Sequence, residues 1–161
     1  MKQPQLRDGF ELSATRHTLP MALLRLREVV MAEFRPILTT HGVTEQQWRV
    51  LRVLMEVDEI AAGDLADRAL ILAPSLSRIL KVLETREFLT IHRNPGDGRR
   101  VRISLTGQGK EFIQSVAPAS AQAYASIEAR IGRERIEDLL AILDEATCLL
   151  EDESTPGRSG T

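Results

Sequence analysis

The chain has 161 residues, of which 43% are apolar and 27% are charged. These proportions are typical of one globular domain, or of a compact domain with extra helices that form a second lobe. No apolar run is long enough to cross a bilayer, and residues 1–17 lack the apolar core of a signal peptide, so we expect a cytoplasmic protein. The single cysteine, Cys148, excludes an internal disulfide and fits a reducing compartment.

Positive charge is concentrated in the middle of the chain, although the net charge is −2. Residues 68–102 hold eight Lys or Arg against three Asp or Glu, a net charge of +5, which leaves −7 for the remainder. A basic segment inside a weakly acidic protein argues against nonspecific coating of nucleic acid and indicates a localised contact.

Apolar periodicity predicts a first helix that opens near Thr18, with Pro20 in its first turn, and ends at Gly42. Pro36 falls inside this pattern, so we expect a kink there or a break just before it.

A second helix is predicted to begin at Thr44, with Gln47 in the capping-box position, and to end near Val57. Its predicted apolar face consists of Trp48, Leu51, Leu54 and Met55. Val43 and Trp48 occupy the positions of a hydrophobic staple, and Ile60 is predicted to lie in a short extended segment.

Residues 62–87 are predicted to form a helix, a short turn and a second helix that starts at Pro74. The predicted inward positions are Leu65, Ala66 and Ala69 on the first helix, and Leu76, Ile79, Leu80 and Leu83 on the second. The outward positions of the second helix are Ser75, Ser77, Arg78, Lys81 and Thr85. Such a face, free of carboxylates until Glu84, suits the major groove of DNA, whereas the simpler interpretation is a solvated amphipathic helix. The turn, residues 70–72, lacks the glycine common in such turns.

Residues 89–106, LTIHRNPGDGRRVRISLT, alternate apolar and polar side chains on both sides of a turn-rich loop. This pattern predicts a β-hairpin with one buried face. Arg99 and Arg100 lie at its tip, and Arg93 and Arg102 lie on its arms. A rigid arm that ends in guanidinium groups suits a DNA groove, although an ordinary solvated hairpin has the same pattern.

After the hairpin, Thr106 is predicted to cap a long helix that runs to about Ile131 and bends at Pro118. Gly132 is a predicted C-cap, and a last helix covers residues 133–152. The apolar stripe of the last helix is wide for the end of a small domain, so we expect a partner surface, most simply for a second copy of the chain.

The order of these elements, from about Pro20 to Leu150, resembles the MarR family of winged-helix transcriptional regulators. Asp97-Gly98-Arg99 followed by Ile103, Leu105 and Thr106 is similar to the family's wing signature. The segments REVVMAEFRPIL, TEQQWRVLRVL and LAPSLSRIL resemble the subgroup that represses homoprotocatechuate degradation operons.

The resemblance implies a mainly α fold with a small β-hairpin: a winged helix-turn-helix with N- and C-terminal dimerisation helices. The implied segments are a flexible tail (1–17), an N-terminal dimerisation helix (18–42), the DNA-binding lobe (43–106), C-terminal dimerisation helices (107–152) and a second flexible tail (153–161). It also implies a homodimer that binds a pseudo-palindromic operator in double-stranded DNA.

By the same resemblance, the helix from Pro74 enters the major groove and the hairpin, or wing, enters the minor groove. Arg99 is then the minor-groove arginine and Asp97 the carboxylate that orients it. The candidate DNA-binding residues are Ser75, Ser77, Arg78, Lys81, Arg86, Arg93, Asp97, Arg99 and Arg100. The wing departs from the family pattern at Asn94-Pro95-Gly96, which leaves the role of Arg100 open.

Related regulators bind small aromatic acids, so the resemblance implies an aromatic carboxylate effector that releases a repressor of an aromatic-acid catabolic operon. The candidate effector-binding residues are Arg25, Phe34, Trp48, Arg49 and Arg52. A guanidinium binds a carboxylate bidentately and an aromatic side chain covers a ring. In the alternative interpretation Trp48 is a core residue, Arg25 pairs with Glu28 or Glu33, and Arg49 and Arg52 are solvated.

A MarR-type regulator that responds to a non-aromatic ligand is an alternative, and three other classes of protein are weaker interpretations. A redox sensor would use Cys148, whose acidic neighbours Asp144, Glu145 and Glu151 disfavour a reactive thiolate. An enzyme or metalloprotein is disfavoured because the three histidines are widely separated and no phosphate-binding loop is present, so we expect neither catalysis nor a cofactor. A helical interaction module without DNA binding conflicts with the +5 segment.

Overall fold

The computed structural model describes residues 18–93 and 101–152. Its elements are α1 (Leu19–Thr40), α2 (Glu45–Met55), β1 (Ile60–Ala61), α3 (Ala62–Ala69), α4 (Ala73–Thr85), β2 (Leu89–Arg93), β3 (Val101–Leu105), α5 (Gly107–Ile131) and α6 (Arg133–Asp152). The predicted order of elements is confirmed. The two predicted tails and the tip of the wing, residues 94–100, lie outside the described residues.

The end of α1 shows why Gly42 is needed where the sequence predicted it. Gly42 has a φ of +67°, the left-handed conformation that glycine adopts without strain. Its N–H donates a hydrogen bond to the carbonyl of Thr39 at 3.0 Å, and the N–H of Val43 donates one to the carbonyl of Leu38 at 3.0 Å. These two bonds form a Schellman motif, and the buried side chains of Leu38 and Val43 accompany it.

Pro36 does not interrupt α1, so the break considered at this position is wrong. Phe34 and Leu38, on either side of the proline, are both buried. Their packing keeps the chain helical, although proline removes one backbone donor.

The capping box at the start of α2 is confirmed. The hydroxyl of Thr44 accepts a hydrogen bond from the N–H of Gln47 at 3.2 Å, and the Gln47 side chain accepts one from the N–H of Thr44 at 3.0 Å. The helix ends at Met55, two residues earlier than predicted, and Met55 is exposed rather than buried. Val50 is buried in its place, because the core lies on the 50, 51 and 54 side of the helix.

The strands form a three-stranded antiparallel sheet in the order β1-β3-β2, so the predicted hairpin gains a third strand. Ile103 of β3 is paired with Ile60 of β1 and with Ile91 of β2. The sheet covers one side of a core to which every predicted inward residue of α3 and α4 belongs. The core therefore holds α3, α4 and the wing strands together as one lobe.

Thr106 and Gly109 direct the chain from the wing into α5. The hydroxyl of Thr106 accepts a hydrogen bond from the N–H of Gly109 at 3.0 Å, and the N–H of Thr106 donates to the carbonyl of Phe88 at 3.1 Å. A Cβ on Gly109 would lie 2.1 Å from that same oxygen. Only glycine therefore lets the first turn of α5 approach the start of β2 this closely.

The chain divides into two compact units, with the boundary after residue 120. In the second unit, Gly132, with a φ of +98°, separates α5 from α6 as predicted. Large apolar side chains of α6 are exposed, namely Leu140, Ile142, Leu149 and Leu150.

Candidate nucleic-acid interface

The turn between α3 and α4 is left-handed without a glycine. Leu70 takes φ 53° and ψ 53°, and the N–H of Ile71 bonds to the carbonyl of Ala66 at 2.9 Å. Ile71 is buried, whereas Leu70 and Leu72 are 80% and 79% exposed. One buried isoleucine between two exposed leucines thus fixes where α4 starts relative to α3.

The outward face of α4 is open to solvent, as predicted. Ser77, Arg78 and Lys81 are exposed, and Ser75 is partly exposed. The Ser77 hydroxyl donates to the carbonyl of Ala73 at 3.2 Å, so its oxygen lone pairs remain available to accept hydrogen bonds. No ion pair holds Arg78 or Lys81 within the described ranges 18–93 and 101–152. The face therefore offers two cations and two small hydroxyls to a partner.

The described part of the wing places Arg93 at the outer end of β2. Arg93 is exposed and is paired across the sheet with Val101. His92 contacts the hydroxyl of Ser104 on the neighbouring strand, with 3.0 Å between Nε2 and Oγ. The candidate residues Asp97, Arg99 and Arg100 lie outside the described residues. Their roles stay predictions.

Arg86, a candidate for DNA contact, lies instead against other parts of the protein. Its Nη1 donates to the carbonyl of Gly42 at 2.6 Å. Its guanidinium carbon lies 4.5 Å from the ring centre of Phe88 and 5.4 Å from that of Phe112. These contacts give Arg86 a role in joining elements of the lobe.

The candidate effector residues do not share one environment. Trp48 is partly buried against the core, and Arg52, one helical turn further along α2, is exposed. Arg49 is partly buried, and its Nη1 donates to the carbonyl of Leu70 at 3.2 Å. Phe34 is buried, and Arg25 is exposed on α1. Of the candidate effector residues, Trp48 and Arg52 are four residues apart on α2 and so lie on the same side of that helix.

A network of charged side chains joins α1 to the start of α2, and the sequence interpretation missed it. Arg35 donates to Glu45 through Nε and to Glu28 through Nη2, both at 2.6 Å, and Arg27 donates to Glu28 and Glu45. The hydrogen bond from Arg35 holds the pKa of Glu45 below its ordinary value. Because Glu28 binds Arg27 and Arg35, it is not a partner of Arg25. Glu28 and Arg35 are seven residues, or about two helical turns, apart, and this spacing places them on the same face of α1.

Within residues 18–93 and 101–152, no group of three or more His, Cys, Asp or Glu side chains is arranged to hold a metal ion. In the same ranges, no helix combines the length and apolar character needed to span a membrane. Cys148 is exposed on α6.

Residues 41–100 match the sequence profile of the MarR family. The homoprotocatechuate degradative operon repressor of Escherichia coli is 40% identical over 143 residues, which is 87% of this chain and 96% of that repressor. This chain belongs to the MarR family. It is therefore a winged-helix, DNA-binding transcriptional repressor and not an enzyme.

Two further similarities come from the same family of regulators. The transcriptional regulator FarR of Neisseria gonorrhoeae is 37% identical, with 78% of this chain and 88% of FarR covered. The crystal structure of NadR in complex with 4-hydroxyphenylacetate has a TM-score of 0.71 and 34% identity, with 83% of this chain and 94% of NadR covered. In this chain the winged helix-turn-helix lies between α2 and the start of α5.

Proposed function

We propose that this MarR-type repressor acts as a homodimer on a pseudo-palindromic operator, and that a small aromatic carboxylate releases it. The proposed targets are genes for the breakdown of aromatic acids. The observation that carries the DNA-binding part is the exposed face of α4, which holds Arg78 and Lys81 beside Ser75 and Ser77 and has no carboxylate before Glu84. Relatives named for aromatic-acid operons and for a bound 4-hydroxyphenylacetate support the effector class.

In this proposal α4 lies in the major groove. Ser75 and Ser77 lie in its first turns, where base edges are reached, and Arg78 and Lys81 contact phosphates or guanine edges. Arg93, with Arg99, Asp97 and Arg100 at the tip, brings the wing to the adjacent minor groove. Two copies then contact half-sites about one helical turn, roughly 10 bp, apart.

The salt dependence of operator binding tests this assignment. Genomic fragments that the protein retains supply the operator, and its affinity is measured from low to high salt. Operator affinity falls as salt rises, and Arg78→Ala or Lys81→Ala is expected to make this dependence less steep. The magnitude of the slope of log K against log salt should decrease by about 0.9 for each phosphate that the variant no longer neutralises, hence by about 1.8 for a dimer. The control Arg135→Ala removes an exposed cation from α6 and should leave the slope unchanged. Equal slopes in all three variants contradict the proposed interface.

Dimerisation through 18–42 and 107–152 is supported by the apolar side chains that α1 and α6 expose. On α1 these include Leu19, Leu23, Leu24 and Val29. Burial of one isoleucine contributes about 1.5–3 kcal/mol, so Ile142→Asn in both copies is expected to weaken the dimer by about 10²–10⁴-fold. The control Glu145→Asn introduces the same residue at an exposed polar position of α6. Sedimentation that shows both variants equally dimeric, or the parent monomeric, contradicts this role.

The effector is proposed to bind beside α2, with its ring against Trp48 and its carboxylate on Arg52. The two side chains are four residues apart and so lie on the same helix face. Arg25, exposed on α1, is the second proposed carboxylate partner. An effector of this kind releases DNA if it binds better to a dimer whose recognition helices have the wrong spacing.

Titration of the operator complex with 4-hydroxyphenylacetate and with hydroxybenzoates tests the effector assignment. Arg52→Ala is expected to require at least about tenfold more ligand for release, since a charge-assisted hydrogen bond contributes about 1.5–3 kcal/mol. Arg25→Ala is expected to blunt the response as well. Arg68→Ala, which removes an exposed cation paired with Glu56, is the control. Unchanged ligand requirements in both test variants contradict this site.

A further inference from the structure

The last residue of the recognition-helix region, Arg86, joins the ends of three helices. It is the C-cap of α4, and its side chain reaches the carbonyl of Gly42, where α1 ends. Its backbone carbonyl accepts a hydrogen bond from Gln108 at the start of α5, at 3.3 Å. From these contacts we infer that Arg86 is a positioning residue that sets the orientation of α4 relative to α1, and thereby the half-site spacing that the repressor accepts.

The acceptor at the end of α1 is held in place by its own backbone. Gly42 is in the left-handed conformation, and the Schellman bonds of Gly42 and Val43 fix the chain on both sides of the carbonyl. A hydrogen bond from a guanidinium to a neutral carbonyl is charge-assisted, and the distance of 2.6 Å between Nη1 and the oxygen is short for an N–H···O bond. The link between α4 and α1 therefore has two rigid ends.

The guanidinium group is also fixed from below by two aromatic rings. The rings of Phe88 and Phe112 are stacked, with 4.4 Å between their centres and an angle of 20° between their planes. Arg86 lies over both. Since a cation is attracted to the face of an aromatic ring, this surface selects one arginine rotamer. Phe88 belongs to the start of the wing and Phe112 to α5, so both are built into the lobe.

These contacts distinguish Arg86 from Arg78 and Lys81 on the exposed face of α4. The guanidinium of Arg86 donates to Gly42 and covers two rings, and the residue is only partly exposed. A phosphate contact would have to compete with these interactions. The contacts of Arg86 instead connect α4, the helix proposed to read DNA, to α1, a helix proposed to form the dimer. We call this connection, from Arg86 to Gly42, the tie.

The inference rests on the proposed function, because only a dimer that contacts two half-sites has a spacing to set. If the tie holds α4 at one angle to α1, the two α4 helices of the dimer are held at a fixed spacing. An operator with one extra base pair between its half-sites then fits only if the protein or the DNA is distorted, so it binds more weakly. Loss of the tie lets each α4 adjust. Affinity for the correct operator then falls, while affinity for the altered operator falls less.

The experiment compares two DNA duplexes, the operator and the same operator with one base pair inserted between half-sites, across a range of salt. Arg86→Met retains an unbranched side chain but removes the charge and the donor. We expect the preference for the correct spacing to fall by about tenfold, the effect of one charge-assisted hydrogen bond, with an unchanged salt slope. Arg86→Lys retains the cation and a donor but not the flat stacking group, and should retain part of the preference.

Each other result overturns the inference in a recognisable way. A salt slope lowered by about 0.9 for each protomer identifies Arg86 as a phosphate contact. An unchanged spacing preference with a lower melting temperature identifies a residue that only stabilises the lobe. Lys81→Ala is the control, which should lower the slope and leave the spacing preference intact.

The test remains decisive if Arg86→Met does not fold. Arg86→Lys and Phe112→Leu, which removes one of the two rings below the guanidinium, are then compared with the parent in the same two duplexes, and a spacing preference unchanged in both variants refutes the tie. If the parent protein binds both duplexes equally, the proposed dimer on two half-sites fails first. If the parent prefers the correct spacing and the variants match it, the positioning role alone fails.

Discussion

A methyl group added at Gly109 tests whether the wing and α5 are packed as closely as the structure has them. The new Cβ would lie 2.1 Å from the carbonyl oxygen of Phe88, 2.9 Å from its carbon and 3.0 Å from the side chain of Leu105. Ordinary contact begins at 3.4 Å, so the oxygen and the methyl group must separate by about 1.3 Å. The nearest obstacle is backbone, which cannot change rotamer.

The free energy of this substitution has opposing contributions. Overpacking costs about 1–3 kcal/mol, and an obstacle made of backbone favours the upper end. The same oxygen accepts the hydrogen bond of Thr106, which contributes about 1 kcal/mol and is weakened if the backbone shifts. Replacement of glycine by alanine in a helix returns about 1 kcal/mol. The expected net loss for Gly109→Ala is therefore about 2–3 kcal/mol, or about 4–12 °C in Tm for a chain of this length.

Thermal unfolding followed by circular dichroism measures this loss, with all proteins at the same protomer concentration because dimer dissociation makes Tm depend on concentration. Gly107→Ala, two residues earlier in the same helix, is the matched control, since its Cβ has no neighbour within 4 Å. Its Tm should be unchanged or slightly raised. Equal Tm values for the two variants would refute the close approach of α5 to Phe88.

Two further predictions concern stability. Because Arg35 lowers the pKa of Glu45 from its ordinary value of 4.5, the pair stabilises the fold fully above about pH 4.5 and loses this contribution as pH falls through the lowered pKa. Glu45→Gln should therefore lower the free energy of unfolding at pH 7, and the variant should lose less stability than the parent when the pH falls below about 4.5. Urea titrations at pH 7 and at the acidic pH measure both effects, and an equal loss of stability in parent and variant would contradict this prediction. Leu70→Gly should raise the free energy of unfolding by up to about 1 kcal/mol, because it relieves a left-handed leucine that buries little surface, whereas a decrease of more than about 1 kcal/mol would show that Leu70 is packed.

In the proposed function, α2 would connect the effector to the helix-turn-helix. The exposed Arg52 and partly buried Trp48 lie on the same helix as Arg49, which donates to the carbonyl of Leu70 in the turn before α4. A ligand that shifts α2 would therefore act on Leu70, the C-cap of α3, at the start of the turn that leads to α4. Arg86 holds the C-terminal end of α4. The turn before α4 and the end of α4 are thus each bonded to a helix outside the helix-turn-helix, α2 and α1 respectively.

Much of the fold could be predicted from the chain alone because it depends on near neighbours. The capping box of Thr44 and Gln47 spans three residues, and the left-handed end of α1 needs only Gly42. The alternation in β2 and β3 determines which side chains face the core, and a shift of one residue would expose Leu89 and Ile103. The exposed face of α4 follows in the same way from a helical period of 3.6 residues.

The roles of the arginines depend on contacts between distant parts of the chain. Arg86 looks like a member of the basic segment, yet it binds a carbonyl 44 residues away, and Arg49 binds one 21 residues away. Arg27, Arg35 and Glu45 join two helices in the same manner. A guanidinium group has the same charge and reach wherever it occurs, so periodicity can place it on a face but cannot choose its partner. For Arg86, that choice is made only when packing of the core brings the end of α1, the end of α4 and the start of α5 together.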